Sequence, residues 1–257
     1  MSTRSPRRLV LAGLLALSIV PLTGGSAALA ASDPSVESAA AASDAPSDAA
    51  AAGLRAAGRG LARVRPGATV ALRSTPEGRT LGRVGDRTEF GSPRVLSVLA
   101  VRGAWLGVAD HRRANGQVSW VDARDPALQL DRTEMSLTAD LSERRLVLRR
   151  GGDVLRSVRV AVGRPGSSTP TGRFAVTDKL AGRPFGRYFG CCILALSGTQ
   201  PHLPPGWRGG NRLAIHGTDR PATIGRRSSA GCLRAGERPL RALMRDVPLG
   251  TPVEIRR

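Results

Sequence analysis

Ile215-His216-Gly217-Thr218-Asp219-Arg220-Pro221, then Ile224-Gly225, then Ser228-Ser229-Ala230-Gly231-Cys232-Leu233-Arg234 is the stretch on which the reading of this chain turns. A cysteine thiol is intrinsically nucleophilic. With a pKa near about 8.5, however, it is only slightly ionised at neutral pH and needs a basic neighbour. His216 offers one, 16 residues upstream of Cys232. Gly217 and Gly231 carry no side chain, so backbone groups can approach a substrate carbonyl there. The amide of Cys232, just ahead of a helix, could help bind an oxyanion. The residues alone point to Cys-His acyl transfer.

Outward from this stretch, the chain reads as mostly β. Downstream, Leu240, Leu243, Met244 and Val247 fall at i, i+3, i+4 and i+7, which predicts one helix between Glu237 and Pro248. Pro252 to Ile255 reads as a closing strand. Upstream, Arg145 to Arg149 and Val154 to Val162 flank the turn Gly151-Gly152-Asp153 and predict a hairpin. In it, Val158, Val160 and Val162 alternate with Ser157, Arg159 and Ala161. Phe174 to Val176 and Ile193 to Leu196 supply further strands.

Between Leu61 and Asp125 a second β pattern appears. Val70 to Leu72, the turn Pro76-Glu77-Gly78, Val95 to Val101, Trp105 to Val108, Asn115-Gly116 and Val118 to Val121 read as a small antiparallel barrel. Asn115-Gly116 is a hairpin signal, because both residues tolerate positive φ. Val70-Ala71-Leu72-Arg73, Gly103-Ala104-Trp105-Leu106-Gly107-Val108 and Val118-Ser119-Trp120-Val121 resemble the bacterial SH3-like domain over 61–125. Such a domain implies contact with cell wall or substrate peptide. Trp105 and Trp120 are expected in its core.

The blocks Ile215-His216-Gly217-Thr218, Ile224-Gly225 and Ser229-Ala230-Gly231-Cys232-Leu233-Arg234 closely resemble the active-site signature of the L,D-transpeptidase catalytic domain. Thr169-Pro170-Thr171-Gly172-Arg173-Phe174 resembles the Thr-Pro-Thr-Gly-x-Phe segment of the same family. One departure is Ala230, where many members carry His. The resemblance covers 133–257 and implies a β-rich catalytic domain with one helix after the catalytic cysteine. It implies an enzyme of peptidoglycan biosynthesis, with Cys232 as nucleophile, His216 as general base and the Gly217 carbonyl orienting the imidazole. Amides of Gly231 and Cys232 would form the oxyanion hole, and Ser229 and Arg234 would support the loop or engage substrate. Cys232 would form a thioester with a tetrapeptide stem, release D-alanine, and pass the acyl group to the side-chain amine of a second stem. Water as acceptor would make the enzyme an L,D-carboxypeptidase. An inactive wall-binding module is the other alternative. Sortase-like enzymes separate His and Cys much farther, and papain-like wall hydrolases put Cys before His.

Composition sets the surroundings. Arg4, Arg7 and Arg8, the apolar run Leu9 to Val20, Pro21 and the ending Ala28-Leu29-Ala30 read as an export signal over 1–30, cleaved after Ala30. The expected location is therefore the cell envelope, associated with the wall. Residues 31–60 are rich in Ala, Ser and Asp and read as a disordered tether. The net charge is +19, and +16 once 1–30 is removed. Anionic envelope polymers suit that charge and location better than nucleic acid, since only 8 Phe, Trp and Tyr are present to stack bases. The charge is carried by 38 Arg and 1 Lys, which equally fits codon usage. Three cysteines leave at least one thiol unpaired within a monomer. Cys191-Cys192 are expected as two free or buried thiols, adjacent disulfides being rare. No Cys-x-x-Cys or His-x-x-x-His spacing supports zinc binding by Cys191, Cys192, Cys232 and His202 or His216. No metal or cofactor is expected. His111 and His202 read as loop residues, and a monomer is assumed.

Overall fold

The computed structural model describes residues 59–257. Strands β1 (Gly60–Val64), β2 (Thr69–Arg73), β3 (Thr80–Gly85), β4 (Val95–Arg102), β5 (Trp105–Ala109), β6 (Val118–Asp122) and β7 (Leu128–Arg132) form one antiparallel sheet. Its order is β3-β2-β6-β5-β4-β1-β7. Val70, Leu72, Leu106, Val108 and Val121 fill its core. Trp120 joins them in burial, whereas Trp105 stays part-exposed under the Arg73 guanidinium. The expected export signal lies outside the described residues. So does the tether, except for Arg59 and for Gly60, which opens β1.

Two features depart from the sequence reading here. Residues 126–132, left between the domains expected at 61–125 and 133–257, include a strand: Leu128–Arg132 pairs with β1 along its whole length. The hairpin at Asn115-Gly116 is wider than a two-residue turn, because pairing stops at Ala109↔Val118. Gly116 has φ +86°, while Asn115 stays outside the positive-φ region. Asn115 instead forms two hydrogen bonds with the Thr199 backbone. Its Nδ2 donates to Thr199 O at 2.7 Å, and Thr199 N donates to its Oδ1 at 2.9 Å.

The second sheet contains β8 (Met135–Asp140), β9 (Arg145–Arg150), β10 (Asp153–Gly163), β11 (Gly172–Ala181), β12 (Cys192–Thr199), β13 (Arg212–His216), β14 (Arg227–Ser229), β15 (Leu233–Ala235) and β16 (Pro252–Arg256), in the order β14-β10-β15-β13-β12-β11-β16-β8-β9. β10 also pairs with β9, so the circuit closes like a barrel. The length of β10 makes this possible. Residues 153–159 face β9, Val160 and Ala161 face β15, and Val162 and Gly163 face β14. Val158, Val160 and Val162 point into the core as their alternation predicts.

Helix α1 (Glu237–Asp246) follows the last cysteine, as the spacing requires. Leu240 and Leu243 are fully buried against the sheet, and Val247 beyond its end is buried with them. Each leucine contributes roughly 2–3 kcal/mol of apolar burial. Pro239 sits in the first turn, where no intrahelical donor is lost. Glu237 at the start and Arg245 at the end suit the helix dipole.

The two sheets meet through polar side chains as well as the Asn115 clasp. Arg173 Nη1 donates to Leu99 O at 3.2 Å. Thr88 donates to buried Asp178, and Arg212 pairs with Glu89, which also approaches His111 at 3.5 Å.

Candidate active site

Parallel pairing of β13 with β15 places Ile215 opposite Leu233 and His216 opposite Arg234. Cys232 immediately precedes β15, so the 16-residue excursion between His216 and Cys232 returns the chain to the strand beside the one that ends in His216, with the thiol and Nε2 not hydrogen-bonded to each other. A parallel pair needs such a crossover, and this one runs through a loop and β14. On its other side His216 pairs with Ile193 of β12.

His216 is 0% exposed. Its Nδ1 lies 2.6 Å from the Gly217 carbonyl oxygen. A carbonyl only accepts, so Nδ1 carries the proton and Nε2 presents a lone pair. Nε2 has no hydrogen-bond partner among the described residues. Burial pushes the imidazole pKa down to about 4, assisted by the Arg234 charge and opposed by the Gly217 carbonyl and Asp219. His216 is therefore a neutral base at physiological pH.

Cys232 is the free cysteine and is part-buried. Its thiol approaches the Arg212 carbonyl at 3.8 Å. Burial pushes its pKa up to about 11, while a backbone hydrogen bond with Ala214 and the Arg234 charge pull the other way. The resting pair is thiol and neutral imidazole. Proton transfer between them is uphill by several kcal/mol until a new bond to sulfur forms.

The loop before Cys232 is held from both sides. Ser229 Oγ donates to Cys232 O at 2.6 Å and accepts from Gly231 N at 3.1 Å. The Gly231 amide, expected to face an oxyanion, is thus occupied by Ser229 in this state, because the loop closes on its own serine. Buried Gln200, which sequence reading missed, donates through Nε2 to Ser168 O at 2.9 Å and Ala230 O at 3.3 Å. Gly231 has φ +124°, and a Cβ there would lie 2.0 Å from Gln200 Nε2. A Cβ on Gly217 would lie 2.8 Å from Phe189 O. At Gly217 the obstacle is backbone, whereas at Gly231 a Cβ would have to push the Gln200 amide aside at a backbone conformation that favours glycine. Thr169, from the second sequence block, accepts from Gly163 N at 2.9 Å and ties its loop to β10.

Aromatic rings cover the imidazole. Tyr188 and Phe189 lie 5.3 and 4.9 Å from His216, and Trp207 lies 5.8 Å from Tyr188. No sequence motif marks these rings as a group, since they come from two separate loops. Arg234 is 3% exposed, with its guanidinium 5.9 Å from the Tyr188 ring and Nη2 donating to Ser228 Oγ at 2.6 Å. Beside these groups opens a groove of about 330 Å³ lined by Arg164, Tyr188, Trp207, Asp219, Arg220 and Arg234, among others.

Cys191 and Cys192 are joined by a disulfide, against the expectation of two thiols. Strand alternation would send adjacent side chains to opposite faces. At the very start of β12 both sulfurs enter the same core, which brings them together. His202 is exposed, and its amide donates to Gln200 Oε1 at 3.0 Å. His111 is only part-exposed and faces Glu89 instead of lying free in its loop.

Residues 134–255 match the model of the YkuD family, described as the L,D-transpeptidase catalytic domain. A Bacillus subtilis protein, YkuD, whose name marks it as an L,D-transpeptidase, is 32% identical over 123 residues, 47% of this chain and 65% of that protein. Its Bacillus licheniformis namesake is 31% identical over 121 residues, 46% and 64% of the two chains. The chain thus spans just under two thirds of the length of these relatives. Among solved structures, an L,D-transpeptidase from Mycobacterium smegmatis is 17% identical, with a TM-score of 0.39 over 63% of this chain and 90% of that one. The His216 and Cys232 blocks both lie inside this matched segment, so it is residues 134–255 that are similar to L,D-transpeptidase catalytic domains.

Proposed function

We propose that the protein is an exported peptidoglycan L,D-transpeptidase that works through a thioester on Cys232. The observation that carries this reading is the buried, neutral His216, whose Nδ1 is tied to the Gly217 carbonyl and whose Nε2 is unpartnered, on the strand paired with the one that follows Cys232, the only free cysteine among the described residues. Nε2 takes the thiol proton as sulfur attacks the carbonyl of the L-centred third residue of a tetrapeptide stem. With an imidazole pKa of about 4, the imidazolium so formed is a strong acid and readily protonates the departing amine of D-alanine. The acyl group is then held as a thioester. A side-chain amine of a second stem attacks it, its proton passes to Nε2, and the C–S bond breaks to restore the thiol.

The tetrahedral oxyanion is received by the Cys232 amide, and by the Gly231 amide once Ser229 releases it. Arg234 favours negative charge on sulfur. The N-terminal sheet, read as SH3-like, contacts wall or stem peptide, and the basic surface favours anionic envelope polymers.

Mass spectrometry of disaccharide-tetrapeptide incubated with the full chain, beside a Cys232→Ala control, tests this reading. Cysteine-dependent dimers that have lost one D-alanine are the expected product. Tripeptide monomers would establish a carboxypeptidase instead. No product from a folded protein that still binds wall would leave only a binding module.

A further inference from the structure

Arg234 is a buried cation without a counterion. Guanidinium groups remain protonated in proteins, and a buried charge is ordinarily paired. Among the described residues Arg234 forms no ion pair. Its one hydrogen bond goes to the Ser228 hydroxyl, and its Nε has no partner. Desolvating such a group without compensation costs several kcal/mol. The same guanidinium forms part of the wall of the groove of about 330 Å³, together with Arg164 and Arg220. Both are exposed, and neither forms an ion pair among the described residues. Asp219 is the only acidic residue in the lining, so three positive charges face one negative. Tyr188 and Trp207 supply flat apolar walls.

We propose that this groove is a carboxylate subsite, in which Arg234, Arg164 and Arg220 hold a free carboxylate of the stem peptide beside Cys232. The inference rests on the transpeptidase reading for the identity of the ligand, and adds that the enzyme selects free-acid over amidated stems. A stem carries two candidate carboxylates: the terminal one on D-alanine, and the one beside the side-chain amine of a diamino acid such as diaminopimelate. Either completes the missing ion pair of Arg234. Fork-shaped guanidinium donors match the planar carboxylate, whereas a carboxamide brings no charge and turns donors toward the arginines.

The experiment is titration calorimetry on the full chain carrying Cys232→Ala, which prevents turnover. Three probes are used: the tetrapeptide stem as free acid, the same stem amidated at its terminus, and the stem amidated at the diamino acid. One amide is expected to bind at least tenfold more weakly than the acid, and which one identifies the carboxylate held. In Arg164→Gln that ratio should shrink severalfold, with the weak amide's own affinity unchanged. Rising salt should weaken the acid selectively. Equal affinities for all three probes, a uniform loss in Arg164→Gln, or no binding of the acid at millimolar concentration would each overturn the proposal. Turnover of the three stems by the unmodified chain separates the two readings. Carboxylate-selective binding without turnover sinks the transpeptidase and keeps the subsite, and turnover indifferent to amidation sinks the subsite alone.

Discussion

At the scale of single residues, the proposed general base His216 would set the pH behaviour. Because its folded pKa is about 4, the acid limb of kcat/KM should fall near pH 4, and a limb near 6.5 would contradict the buried neutral base. Alkylation of Cys232 by iodoacetamide should be slow at pH 7 and rise toward pH 11, as its raised pKa requires. The same burial has a stability consequence. Above about pH 6.5 both the folded and unfolded imidazoles are neutral, whereas between about 6.5 and 4 only the unfolded one binds a proton. Stability therefore declines as pH falls through that window, by about 3 kcal/mol in all, and no further below it on this account. Thermal unfolding at pH 7.5 and 4.5 should show a smaller difference in His216→Gln than in the parent chain.

At the scale of elements, the His216 and Cys232 blocks were legible because each is a short contiguous run whose residue types speak for themselves, and the structure places the two runs at the ends of the β13–β15 crossover. Helix α1 was legible from its apolar spacing, and Leu243→Ala should destabilise by about 2–5 kcal/mol in denaturant titration. Other strands hid for physical reasons. β1 is covered on both faces and so shows no alternation, and β7 is an edge strand dominated by exposed polar residues. Gln200 and the aromatic cover of His216 act through contacts between distant loops, which spacing along the chain does not encode. Gly231→Ala should abolish turnover while leaving a folded protein, because a Cβ there displaces Gln200 and distorts the loop that presents Cys232.

At the scale of the whole molecule, the two sheets are coupled through side chains that the turn chemistry misdirected. Asn115, read as half of a tight hairpin, spends its amide on the Thr199 backbone in the neighbouring sheet. Asn115→Ala should cost about 1–3 kcal/mol, the loss expected from two hydrogen bonds to part-buried backbone, while circular dichroism stays unchanged. Arg212 extends this coupling toward the site. Its side chain meets Glu89 and Thr177, and its backbone carbonyl faces the Cys232 thiol. The N-terminal sheet is thereby tied to the strand whose carbonyl faces Cys232, the proposed nucleophile. The central claim is that this nucleophile is acylated. Intact-protein mass spectrometry of the full chain, quenched within the first turnover of a tetrapeptide stem, measures it directly. The account predicts a hydroxylamine-sensitive adduct equal to the stem less D-alanine, mapped to Cys232 and missing in Cys232→Ala. Stem turnover by Cys232→Ala, or an adduct on any other residue, would contradict it.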